Sequence, residues 1–194
     1  MNFIKKFKDD SVRIIEQMPE DRIDEMVDLL GGLRDRNGRL FILGVGGSAA
    51  NCSHAVNDFR KLCKIEAYSP ADNVSELTAR INDDGWEGVF VSWLEASNLS
   101  PRDMILVFSV GGGDESRNVS VNIVNAIKFA TKMEVDVISV VGRSEGFAAN
   151  NSTVALVVPQ VDSKLVTPYS EAFQAWVWHL LVSHPKLQMQ KTKW

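Results

Sequence analysis

A chain of 194 residues with 45% hydrophobic content is long enough for one well-buried core and short for two. Its formal charge of −4, from 21 basic against 25 acidic residues and with no long basic block, argues against a nucleic-acid groove. No apolar run reaches the roughly 18 residues of a membrane span and the first residues lack a signal-peptide core, so a cytoplasmic protein is expected.

Apolar positions at helical spacing predict two leading helices, over 2–17 (Phe3, Ile4, Phe7) and 21–36 (Ile23, Met26, Val27, Leu29, Leu30), separated by Pro19. A strand at 39–43 then runs into Gly44-Val45-Gly46-Gly47-Ser48 and a helix over 47–62. Glycines there let the backbone approach a ligand, and the first free N–H groups of the helix, with its dipole, favour a phosphate or carboxylate. A tight turn with no ligand is the plain alternative. The cysteines, Cys52 and Cys63, can build neither a disulfide framework nor a four-sulfur zinc site and read as small buried residues of this helix.

A strand at 64–68 and helices at 73–81 and 86–96 come next. The strand at 104–108 ends in Ser109-Val110-Gly111-Gly112-Gly113 and leads to Ser120 and a helix over 119–132, so the first turn's logic is repeated. Asp114 and Glu115 would repel an anion there unless they point away or Arg117 offsets them; they serve equally well as N-terminal helix charges. Strands at 135–141 and 153–158 and a last helix from Pro168 to Ser183 complete the chain. The alternation predicts an α/β fold, a parallel sheet covered on both sides, in a single domain over 1–194: a helical segment 1–36, a sheet core 37–160 and a C-terminal helix 168–184. Ligands of such sheets bind at the strand C-terminal ends, where both glycine turns fall.

His54 and Asp58 are four apart on a predicted helix, about 6 Å from each other on one face, and can converge on one ion. Glu171 and His179 are eight apart, which in a straight helix separates their α carbons by about 12 Å. One ion bound by both needs an irregular first turn after Pro168, or two subunits. Each residue also has a structural reading. His179 lies among Trp176, Val177, Trp178, Leu180 and Leu181 as a core or interface histidine would; Asp58 precedes Phe59-Arg60-Lys61 as a surface ion pair would; Glu171 suits a helix N-terminus; and Trp176 and Trp178 suit packing.

Taken together, Gly44 to Ser48 with His54 and Asp58, the pair Asn82-Asp83, Ser109 at a strand end with Ser120 at a helix start, and Thr167-Pro168…Glu171…His179 resemble the sugar isomerase (SIS) fold, and within it the phosphoheptose isomerases. The resemblance implies a flavodoxin-like three-layer αβα sandwich with a five-stranded parallel sheet, and a homotetramer with sites at subunit junctions. It implies interconversion of sedoheptulose 7-phosphate with an aldoheptose 7-phosphate. It also implies a zinc or similar divalent ion on His54, Asp58, Glu171 and His179, with Asp58 as base and His179 as its partner. Asp58 stands for a family glutamate one methylene longer, and Glu171 for a glutamine. Substrate contacts would come from Val45, Gly46, Gly47, Ser48, Asn82, Asp83, Ser109, Val110, Gly111, Ser120 and Glu171. Val45 stands where the family has asparagine, and Val110 and Gly111 replace a hydroxyl pair, which bears on the sugar used. SIS folds also serve as sugar-phosphate sensors and protein-binding modules. A nucleotide-binding reading is weaker, because neither turn continues into Gly-Lys-Ser/Thr or completes the dinucleotide fingerprint.

Overall fold

Strand residues of this chain alternate between two separate apolar cores, one on each face of a single sheet. The computed structural model describes residues 2–192. The strands are β1 (Arg39–Leu43), β2 (Glu66–Tyr68), β3 (Met104–Ser109), β4 (Asp136–Val141) and β5 (Val154–Val157). They lie in the order β2-β1-β3-β4-β5, every pair parallel. With the period of two of an extended chain, Leu40, Ile42, Met104, Leu106 and Phe108 enter one core. Phe41, Leu43, Ile105 and Val107 enter the other.

The first core is covered by α1 (Phe3–Glu16), α2 (Glu20–Asp35), α3 (Gly47–Cys63) and the last helix, α8 (Val166–Ser183). The second is covered by α5 (Val89–Ala96), α6 (Val121–Lys132) and α7 (Phe147–Asn151), with α4 (Val74–Asp84) outside α5. Sandwiching requires strands apolar on both faces, and β3 is buried at every residue. No described helix is long and apolar enough to cross a membrane.

Several boundaries differ from the sequence reading for local reasons. The helix expected from 86 begins at Val89, after Gly85 at φ 78° breaks the chain from α4. The helix expected from 119 begins at Val121, because Val119 instead exchanges both backbone hydrogen bonds with Asp114 (2.9 and 2.8 Å) and closes a small hairpin. The last helix begins at Val166, and Pro168 sits in its first turn, where a missing N–H costs nothing. The short α7 and a 3-10 turn at Pro70–Asp72 were not expected from periodicity.

The sheet order reverses direction between β1 and β3, so the turn after β1 and the turn after β3 flank the topological switch point. Arg39 and Asp103 pin the far ends of the same two strands. Asp103, 2% exposed, accepts the Arg39 backbone N–H (3.0 Å) and its guanidinium Nη2 (2.7 Å).

Candidate active site and metal centre

α3 and α8 run side by side in the same direction, and their contact builds the site. Asn51 ties them at one end, donating to the Glu171 carbonyl (3.0 Å) and to Gln174 Oε1 (2.9 Å). Seven residues farther along, Asp58 meets α8 again. Its Oδ2 lies 3.4 Å from His54 Nε2 and 3.6 Å from His179 Nε2. One ligand atom from each of His54, Asp58 and His179 falls within 4.8 Å of the others. Asp58 is buried, whereas both imidazoles are about half exposed, with side-chain exposures of 56% for His54 and 52% for His179. A cavity of about 240 Å³ opens over the three, walled also by Asn57, Lys61, Val182, Ser183 and Thr192.

The hydrogen bonds around the cluster set which atoms face it. His179 Nδ1 lies 2.7 Å from the Ala175 carbonyl, one turn back. A carbonyl only accepts, so Nδ1 carries the proton and, in the neutral ring, Nε2 presents a lone pair to the cluster. That lone pair faces a carboxylate oxygen 3.6 Å away. Two acceptors at this separation are reconciled by a cation or a proton between them. Two imidazole nitrogens and a carboxylate oxygen are the donor set of an open divalent site, with positions left for water or substrate. The residues therefore fit a zinc-like ion.

Glu171 is not brought to this cluster within the chain. It lies in a regular part of α8, which removes the irregular first turn as a way to unite it with His179. Its carboxylate instead stands over Gly47, at the start of α3. Gly46, at φ 64° and ψ −126°, adopts a conformation open to glycine alone and offers no side chain to cap that helix. Val45 packs beside the second core, and Ser48 is buried in the first turn of α3.

The second glycine turn is stitched to its neighbours. Ser109 Oγ accepts the Gly112 N–H (3.0 Å), the Val110 carbonyl accepts from Gly142 (3.0 Å), and the Gly112 and Gly113 carbonyls accept from Ala148 (2.8 Å) and Phe147 (2.9 Å). Gly111 has open space above it. Ser120, at φ 50°, stands at the start of α6 without using its hydroxyl as a cap. Both acidic residues of the loop are paired. Asp114 accepts from Ser116 Oγ and Arg117 Nε (2.6 Å each), which hold its carboxyl down at about 2, and Glu115 accepts from Lys128 (2.7 Å). Asn82 and Asp83 are exposed on the last turn of α4, where Asn82 donates to Asp83 (2.8 Å), and do not line the histidine cavity.

Two contributors lie outside the sequence reading. Asn57 Nδ2 donates to Asp58 Oδ1 (3.0 Å) and Trp178 Nε1 donates to Asp58 Oδ2 (3.2 Å). Helical spacing sends Trp178 and His179 in different directions, yet the Trp178 indole reaches the cluster from the core side. Both thiols are buried on α3, and burial pushes Cys63 up to about 12 and Cys52 farther, so neither is a nucleophile.

A model of the SIS domain matches residues 2–142. The chain belongs to the SIS domain family. It is 30% identical to a phosphoheptose isomerase of Helicobacter pylori over 149 residues, covering 74% of each chain. It is 27% identical to a lincomycin biosynthesis protein of Streptomyces lincolnensis over 191 residues, 95% of this chain and 69% of that one. Its fold matches the structure of a phosphoheptose isomerase from Neisseria gonorrhoeae at a TM-score of 0.78 and 23% identity, covering 92% of this chain and 94% of the other. These relatives make the SIS chain a phosphosugar isomerase.

Proposed function

We propose that this isomerase interconverts sedoheptulose 7-phosphate and an aldoheptose 7-phosphate, with zinc or a similar divalent ion on His54, Asp58 and His179. The convergence of those three ligand atoms within 4.8 Å carries the reading. Such an ion, when bound, supplies Lewis acidity toward the oxygens of the sugar. The protein's own groups do the rest. The Asp58 carboxylate moves the proton between C1 and C2 of the substrate through an enediol while the hydroxyl proton passes between the adjoining O1 and O2, and His179, with Nδ1–H held by Ala175, would keep its Nε2 for the ion beside those oxygens.

The phosphate is assigned to the turn after β3. There the acidic side chains are neutralised by Arg117 and Lys128, Gly111 has open space above it, and the Ser120 hydroxyl caps no helix. The turn after β1 already has a carboxylate, that of Glu171, over Gly47, and a dianion would be repelled from it. Gly46 and Gly47 are left to meet sugar hydroxyls. Binding energy from the remote phosphate then positions the reacting carbons.

A homotetramer with shared sites accords with the unpartnered surface. α4 buries none of its residues, although Leu77 and Ile81 are partly covered, and Phe3, Ile4, Val12 and Ile15 of α1 are exposed. A second copy over α4 would bring Asn82 and Asp83 into a neighbouring site.

The test is NMR of the protein with sedoheptulose 7-phosphate in D₂O, before chelation, after it, and with zinc restored. Aldose phosphate formed only with metal supports the reading. Shifted ligand signals without turnover would make the chain a sugar-phosphate sensor, and turnover indifferent to chelation would remove the metal.

A further inference from the structure

The sequence assigns Trp178 to packing, yet its indole is the floor of the histidine cluster. The ring is 1% exposed and rests on Phe108 of the sheet, with centroids 5.8 Å apart. Its ring also meets the two candidate ligands, His179 at 4.8 Å and His54 at 5.3 Å between ring centroids. Its N–H is buried and has one acceptor, Asp58 Oδ2 at 3.2 Å. A buried indole N–H needs such a partner, so packing and hydrogen bonding fix each other.

We infer that Trp178 is a positioning residue, whose N–H holds the Asp58 carboxylate with Oδ2 turned toward His54 and His179. Oδ2 is the atom that both histidine Nε2 atoms approach, at 3.4 and 3.6 Å. The other oxygen, Oδ1, is held by Asn57. An amide and an indole therefore grip the carboxylate at its two oxygens. Both donors are neutral and neither titrates near neutral pH, so they orient the anion without offering a positive charge that would compete with a metal ion. A lysine or arginine in the same place would neutralise the ligand it was orienting. The same ring limits the swing of both imidazoles from below.

The inference rests on the proposed metal site, and its test separates the two. Trp178→Phe keeps the ring and removes the N–H. Co²⁺ affinity and the visible absorption of bound Co²⁺ are measured for the unsubstituted protein, for Trp178→Phe and for Trp176→Phe as a control. The indole N–H signals are followed by ¹H–¹⁵N NMR, with Trp178 assigned by its loss in the variant. The expected result is Co²⁺ binding weakened about tenfold or more in Trp178→Phe, as for loss of an outer-shell donor, with an altered Co²⁺ spectrum and no change in Trp176→Phe. The Trp178 N–H should exchange slowly with solvent and shift in Asp58→Ala. Equal Co²⁺ affinity and spectrum in Trp178→Phe overturn the role of Trp178 and leave the metal site standing. Failure of the unsubstituted protein to bind Co²⁺ overturns the metal site, and with it the positioning role.

Discussion

The carboxylate of Glu171 lies against the α carbon of Gly47: a β carbon added there would fall 2.5 Å from Oε1 and 2.6 Å from Cδ of Glu171. The obstacle is the far end of a flexible side chain, so it can yield. Gly47→Ala should therefore fold with stability changed by no more than about 1 kcal/mol, since alanine also favours the helix. It should nonetheless raise KM for the sugar phosphate by displacing Glu171. Gly44→Ala makes the contrast. Its β carbon would meet Cys52 Sγ and the Ser48 carbonyl at 2.8 Å, which include backbone, and overpacking of that kind costs about 1–3 kcal/mol. Thermal melts and steady-state kinetics of the pair decide it; equal destabilisation would show that Glu171 cannot move.

Asp58→Asn should lower kcat by about 10²–10⁴, the range of a lost general base, with KM for the sugar phosphate little changed. Asparagine retains an oxygen for the Trp178 N–H, and a flip of the Asn57 amide lets its oxygen accept from the new NH2 in place of its donation to Oδ1. Solvent exchange of the C1 and C2 protons in D₂O is the direct readout. Exchange at the rate of the unsubstituted protein would remove Asp58 as the base.

Metal removal provides an independent check. Chelation should abolish turnover and restored zinc should recover it. His54→Ala and His179→Ala should each weaken zinc by more than the 10–100-fold typical of an outer-shell loss, because each removes a ligand atom. His179→Gln is the milder change, since its amide can still donate to the Ala175 carbonyl while an oxygen replaces the imidazole nitrogen toward the cluster. Zinc stoichiometry measured on the purified variants is the readout, and full zinc in His179→Ala would take that residue out of the site.

The fold and the cluster were legible in the sequence to different degrees. β3 and β4 are buried on both faces, so their apolar runs gave their strands directly, and the strand and helix alternation gave the parallel sheet. His54 and Asp58 could be paired because helical spacing alone places them on one face. His179 needed the parallel packing of α3 on α8, a tertiary fact that no spacing carries, and its family resemblance supplied it. Glu171 stands over Gly47 and not at the histidine cluster because eight residues of straight helix separate it from His179. Trp176 and Trp178, two apart on a helix, face different ways and so suit packing, but that rule describes α carbons and a long indole evades it. Val119 looked helical by composition, but its backbone was already committed to Asp114.

Asp103 couples the sheet's stability to acid. It accepts hydrogen bonds from the Arg39 backbone, from Arg39 Nε and Nη2, and from Ser100 N and Oγ (3.0 Å each), so it ties the start of β1 to the turn before β3. Burial pushes its pKa up, but the Arg39 side chain and backbone and the Ser100 hydrogen bonds outweigh this and hold it below the ordinary 3.8. A depressed folded-state value means that the stabilisation is fully present above the unfolded value and is lost as pH falls through the folded one. Removing the carboxylate leaves the Arg39 guanidinium, 27% exposed, on the Ser97 and Asn98 carbonyls without its ionic partner, at a cost of about 1–3 kcal/mol. Asp103→Asn should therefore be less stable by about that amount at neutral pH, and the gap should shrink as pH falls below about 4. Urea unfolding of both proteins across the acid range measures it. A gap that stays constant into strong acid would show that Asp103 acts through its shape and hydrogen bonds alone, without its charge.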